Sequence, residues 1–246
     1  AGTVTLAAGA NNRLQFGNSA VFNNLAGHTV LIDTSYSAPF EYATGTAAVQ
    51  VNNAGLIQKT SGAVQTLLNA GSYTQAVGGT LDVKAGTLDL TLNNTYSGTI
   101  NVDPGATLAL PSGTHTLNSG LNLTGTGNLT LNGGTLSLGG AFTFGATNPQ
   151  FSMSNGTLTS ASAFTIDQPF AWSGGTITGA GLLSTSGVTT ITNAPRLDSK
   201  TWDSAGTVTL AAGANNRLQF GNSAVFNNLA GHTVLIDTSY SAPFEY

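Results

Sequence analysis

Residues 86–94 read GTLDLTLNN. Leu88, Leu90 and Leu92 alternate with Thr87, Asp89 and Thr91. A period of two puts the apolar side chains on one face and the polar ones on the other, which predicts a strand with one buried face. Gly86 before the run and Asn93-Asn94 after it are turn formers. The pattern recurs: Asn128-Leu129-Thr130-Leu131-Asn132 alternates in the same way. Gly-Thr followed by Leu, Ile or Val begins at Gly2, Gly79, Gly86, Gly98, Gly134, Gly156, Gly175 and Gly206. No segment has a convincing helical period, and the best candidate, Ala63 to Ala70, is short and bounded by Gly62 and Gly71.

A longer repeat encloses this short one. Residues 205–246 repeat residues 1–42 letter for letter, so the period is 204 residues. The chain reads as one full repeat unit over residues 1–204, then residues 205–246 as the start of the next identical repeat, continuous with the first. Stacked repeats need caps on their open ends, and no cap composition is visible. The expectation is a window within a tandem array.

Composition narrows the class. Charged residues are 7% of the chain, against about 25% in ordinary globular domains. Apolar residues are 40%, so a core can form. The net charge is −4 with six basic residues, which argues against nucleic acid and anionic membranes as partners. No apolar run is long enough for a transmembrane helix. Cysteine is absent, which suits either a cytosolic protein or an exported one that avoids stray disulfides, and the low charge favours export.

Many short strands fit either a β-sandwich or a β-helix. Three features favour the helix. The Gly-Thr units are unevenly spaced, which suits rungs with varied turns. Asn pairs recur at Asn23-Asn24, Asn52-Asn53 and Asn93-Asn94, where stacked rungs would join them in hydrogen-bonded ladders. The charge is also too sparse for two sandwich surfaces. The expected fold is all-β, a right-handed parallel β-helix (β-solenoid) with about nine rungs per 204-residue repeat, each rung adding about 4.8 Å. Rungs are expected to start near Val21, Val49, Ala76, Thr99, Leu121, Gly145, Asp167 and Thr192, the last stretch being long enough to hold two. Phe22, Phe142, Phe144, Phe151, Phe164 and Phe170 are expected to stack in the core, with Pro104 and Pro111 at turns.

Residues 86–110, GTLDLTLNNTYSGTINVDPGATLAL, resemble the autotransporter-associated β-strand repeat. Residues 112–138 and 20–27 resemble right-handed β-helical segments of large bacterial surface proteins, a class that includes filamentous-haemagglutinin-like adhesins. The resemblance implies export, display at the cell surface, and a role in adhesion, matrix or sheath. Two departures stand out: no membrane-barrel domain is present in these residues, and the period far exceeds a single β-strand repeat.

Catalysis on such a scaffold needs carboxylates and basic groups clustered on one face. The densest cluster is Arg196, Asp198, Lys200 and Asp203. Arg196, Asp198 and Lys200 alternate, so in a strand they would share a face, and Trp202 would supply a stacking platform for a glycan. The competing reading is a solvated turn with Trp202 packed inward. Asp82 and Lys84 read as a surface ion pair of little energetic value. His28, His115 and His232 lack metal-ligand spacing, and Gly78-Gly79-Thr80-Leu81-Asp82 departs from the calcium-binding nonapeptide at Leu81. The T-x-T runs at Thr3, Thr157 and Thr176 would suit ice binding only if aligned on consecutive rungs. No catalytic residue, metal or cofactor is expected. The expected role is an extracellular structural or adhesive fibre whose partner is itself through end-to-end stacking, with glycans or neighbouring cell surfaces as further partners.

Overall fold

The computed structural model describes residues 2–44 and 49–246. Among the described residues there are strands and turns and no helix. The strands pair in parallel and form a β-solenoid of about 11 turns. Nine rungs per 204 residues scales to the same number over the whole chain. The weak helical candidate at Ala63 to Ala70 instead contains the strand Val64–Thr66.

Two compact units are present, Ala1–Leu129 with Thr147–Pro149, and Thr130–Ala146 with Gln150–Tyr246. The repeated 42-residue segment occurs once in each.

In the first unit each turn contributes three strands. One ladder runs through Thr3–Leu6, Thr29–Ile32, Leu56–Lys59, Thr80–Val83, Thr99–Val102 and Asn122–Thr124. A second joins Leu14–Phe16 to Phe40–Tyr42, and Val64–Thr66 to Thr87–Asp89 and Thr107–Leu110. A third runs through Val21–Asn24, Gln50–Asn53, Ser72–Gln75, Asn94–Tyr96 and Thr114–Leu117. Rung length varies from 19 residues between Thr80 and Thr99 to 29 between Val21 and Gln50. This variation explains where the expected rung starts drift. Val21 and Val49 mark the third ladder, whereas Thr99 and Leu121 fall on the first.

Alternation becomes packing through register. Val30, Ile57, Leu81, Ile100 and Leu123 lie one above another and are all buried. Burying each such side chain contributes roughly 1.5–3 kcal/mol. Outward residues on the same strands form polar ladders: Gln58 Nε2 donates to Asp82, and Asn101 Nδ2 donates to Asp82 and Asp103. The Gly-Thr motif marks the corners. Gly86 has φ +64°, and a Cβ there would lie 2.4 Å from the Gly62 carbonyl oxygen on the preceding rung. Only glycine satisfies both constraints. Pro104 occupies a turn, and Pro111 follows the strand Thr107–Leu110.

The second unit repeats the three-strand turn. Its ladders run through Phe142–Phe144, Phe164–Ile166, Leu183–Thr185, Thr201–Ser204 and Val225–Asn228; through Gln150–Ser160, Phe170–Trp172, Thr189–Ile191, Thr207–Leu210 and Thr233–Ile236; and through Gln150–Ser160 again, Thr176–Thr178, Arg196–Asp198, Leu218–Gly221 and Phe244–Glu245. Its core is a continuous aromatic column. Successive ring centroids from Phe142 through Phe144, Phe151, Phe170, Trp172 and Trp202 to Phe226 lie 4.5 to 6.0 Å apart. The expected phenylalanine core is therefore present for Phe144, Phe151, Phe164 and Phe170, all buried. Phe142 and Phe22 are half-buried, and Phe22 packs against Phe16 and Phe40.

Candidate functional site

The cluster singled out in the sequence divides. Arg196 and Asp198 stay on the surface as an ion pair at 3.1 Å. Lys200 and Trp202 are buried at 2% and 0% exposure. Lys200 thus leaves the face it was expected to share with Arg196 and Asp198, and Trp202 is no stacking platform but packs inward, as the competing reading held. The cause is Ser199, whose φ of +49° turns the corner between Arg196–Asp198 and Thr201–Ser204. That corner shifts the two-residue phase by one position, so the burial of Leu197 is followed by that of Lys200 and Trp202. Trp202 Nε1 donates to Thr185 Oγ1 at 2.9 Å inside the core.

Lys200 is held where the corner closes. Its Nζ donates to the carbonyls of Gly181, at 2.7 Å, and Ser160, and lies 4.9 Å from the Phe164 ring centroid. Burial pushes its pKa down to about 8. Lys59 has the same role in the first unit, donating to the carbonyls of Ser61 and Ala85, and burial lowers it to about 8 as well. Both lysines donate to backbone carbonyls at the turns, and the Ser160 carbonyl that Lys200 reaches also accepts from the Gly181 N–H.

Asp82 and Lys84 form the expected ion pair at 3.4 Å, but only Lys84 is on the surface while Asp82 is buried, and Lys84 also reaches Asp103 at 3.1 Å. Asp198 accepts from Asn222 and from Arg196, which together hold its carboxyl below the usual range.

One constellation escaped sequence reading, and a second was read only in part. In the first, Arg13 Nε donates to Glu41 at 2.5 Å, Gln15 Nε2 donates to the same carboxylate at 2.7 Å, Tyr36 Oη donates at 2.5 Å, and the Arg13 guanidinium stacks over the Tyr36 ring. The hydrogen bonds from Tyr36, Gln15 and Arg13 lower the Glu41 pKa to about 2. In the second unit Arg217 and Gln219 likewise donate to Glu245, and the Arg217 guanidinium lies over the Tyr240 ring. The signal was the register of Gln15 on Glu41, visible only once the rung length is known.

The second is a buried polar ladder. Asn24 Nδ2 donates to Asn53 Oδ1 at 2.8 Å, Asn53 Nδ2 donates to the Thr80 carbonyl, and Gln75 Nε2 donates to the Ser97 and Thr99 carbonyls. The first two Asn pairs thus form the expected ladder, and Asn52 donates to Asn23 outside it. The third pair does not join. Asn94 pairs with Tyr73, so Gln75 takes the third place in the column.

His115 is buried against Tyr96, and desolvation lowers its pKa. Among the described residues no group of three or more His, Asp or Glu side chains is placed to hold a metal. Two T-x-T runs, at Thr157 and Thr176, do align on consecutive rungs, but Arg196 and Asp198 take the threonine places on the next. The open cavities in the first unit are shallow surface grooves. One of about 370 Å³ is lined by Gly27, His28, Ala54, Leu56, Val77 and Gly78 and carries no acid or cationic lysine or arginine.

No protein-family model matches the chain, and neither a curated protein nor a solved structure matches it significantly.

Proposed function

We propose that this chain is a non-catalytic building block of an extracellular or cell-surface fibre, made of tandem β-solenoid repeats and serving as a stiff filament, sheath or adhesin stalk. The observation that carries the reading is the repeated 42-residue segment. In the first unit it is covered by the rungs that follow it, Gln50–Asn53 and Leu56–Lys59. In the second it is covered by the rungs that precede it, Thr189–Ile191, Arg196–Asp198 and Thr201–Ser204. One sequence therefore accepts a rung on either side, which is what a repeat inside an array requires.

Composition supports display outside the cell. Outward Thr, Ser and Asn keep the surface soluble with little charge, and the chain has no cysteine to mispair. The partner is a further copy of the same repeat, with glycans or neighbouring cell surfaces as the adhesive targets of a stalk. Cryo-electron microscopy of the native surface material tests this. The expected result is fibres with a fine spacing of about 4.8 Å and an axial repeat of about 43 Å from nine stacked rungs. Discrete globular particles without the fine spacing would overturn it.

A further inference from the structure

In the first unit, the corner where the third ladder passes to the first alternates between two constructions. Four-residue turns at 25–28, 76–79 and 118–121 are closed by hydrogen bonds from His28 N–H to the Leu25 carbonyl, Gly79 N–H to Ala76, and Leu121 N–H to Asn118. Between these turns the chain crosses in two residues, Ala54-Gly55 and Ser97-Gly98. Gly55 makes the first short crossing possible, since a Cβ there would lie 2.4 Å from the His28 carbonyl oxygen. Gly98 stands in the same relation to the Gly79 carbonyl oxygen, also at 2.4 Å. The tips of the longer turns are exposed, whereas the short crossings are not. The turns thus stand out as teeth two rungs apart, about 9.6 Å at the usual strand spacing.

The slot between the first two teeth is the groove of about 370 Å³. That volume lies in the range of small-ligand sites. Leu56 forms its floor, and Val77, 86% exposed, stands at the tip of one wall. Register places Thr29 and Thr80 on either side of Leu56. Neither threonine hydroxyl has a hydrogen-bond partner among the described residues. His28 Nδ1 accepts from the Gly2 N–H at 2.8 Å, which leaves Nε2 free. Two residues further along the same strands the opposite holds: Gln58 and Asn101 both donate to Asp82 and so occupy one another. Free hydrogen-bonding groups around an uncharged apolar floor are a property of the slot.

We propose that this slot binds the sugar rings of a neutral polysaccharide. The proposal rests on the reading of the chain as an adhesive surface fibre, and it names where the fibre holds its glycan. A pyranose ring has an apolar C–H face and a rim of hydroxyls. The C–H face fits Leu56 and Val77, and the rim meets Thr29, Thr80 and the His28 Nε2, with each hydroxyl able to donate and accept. A uronic or sialic acid would bring a carboxylate that loses water and finds no lysine or arginine in the lining. The second short crossing, Ser97-Gly98, lies between the next pair of teeth, with Thr99 in register between Thr80 and Asn122. One glycan chain running along the axis meets both slots, so a polymer binds more tightly than a single sugar.

Titration calorimetry on the whole chain tests this. The probes are hexaoses of glucose, galactose and mannose, the three free sugars, and a galacturonate oligomer of equal length. The expected result is a neutral hexaose that binds more tightly than its own monosaccharide, with no binding of the galacturonate. Thr80→Val, which keeps the shape and removes one hydroxyl, should weaken that hexaose about three- to tenfold. Val77→Asp, at an exposed tip, should abolish binding while circular dichroism and the thermal midpoint stay unchanged. Binding that is equal in wild type and both variants would place the sugar elsewhere and overturn the proposal. So would equal affinity for the galacturonate, or no binding of any neutral probe. A tryptophan-bearing peptide that binds where no sugar does would make the slot a peptide site, which also overturns it. Each of these failures leaves the fibre reading to its own imaging test.

Discussion

Lys59 sits in register between Ile32 and Val83, interrupting a column of aliphatic side chains with a buried ammonium group. Its ordinary pKa of 10.5 falls to about 8 in the fold. Between these values the unfolded chain holds a proton that the folded chain has released. Stability contributed by this group therefore rises as pH climbs from about 8 to about 10.5, by on the order of 3 kcal/mol. Urea midpoints of wild type and Lys59→Met are expected to diverge in favour of wild type across that window. Equal pH slopes would show that Lys59 titrates normally. Lys59→Ala, which opens a hole between two rungs, is expected to cost about 2–5 kcal/mol.

Glu41 has the opposite sign. Its folded pKa of about 2 lies below the ordinary 4.5, so its stabilisation is present above pH 4.5 and lost as pH falls through 2. Thermal midpoints should drop less between pH 4.5 and 2 in Glu41→Gln than in wild type. An identical acid-induced drop in both would assign no role to the clamp with Arg13, Gln15 and Tyr36.

Trp202 and Arg196, grouped together by sequence, should behave as strangers. Trp202→Ala removes a fully buried ring between Trp172 and Phe226 and is expected to cost about 3–5 kcal/mol. Arg196→Ala breaks an exposed ion pair and should change stability by less than about 1 kcal/mol. Denaturant unfolding of both variants checks this, and comparable losses would contradict the corner at Ser199.

Strand content and the inward set of each strand were legible in the sequence because alternation is local. What alternation misses is the corner. Ser199 adopts a left-handed conformation without being glycine, and nothing in Asp198-Ser199-Lys200 announces it. Rung length was equally hidden, because it is set by turns whose size differs from rung to rung. Without it, Gln15 cannot be matched to Glu41, nor Asn53 to Gln75. The clamp was thus invisible, whereas in the polar ladder the Asn24–Asn53 step was legible and the place of Gln75 was not.

Phe22 marks the edge of its unit, half-buried against Phe16 and Phe40. Phe22→Asp should loosen the local rungs and leave the second unit intact. Hydrogen exchange should accelerate at Val21–Asn24 and Gln50–Asn53 while protection at Phe170–Trp172 stays unchanged. An unchanged pattern at all three strands would remove Phe22 from the core.

The aromatic column also has an optical consequence. Trp172 and Trp202, the chain's two tryptophans, have ring centroids 6.0 Å apart with planes at 67°. Chromophores so near and so inclined share their excitations. The folded second unit should therefore give a paired positive and negative band in circular dichroism that neither Trp172→Phe nor Trp202→Phe retains. The solenoid would carry its own label, bright only while the rungs remain stacked.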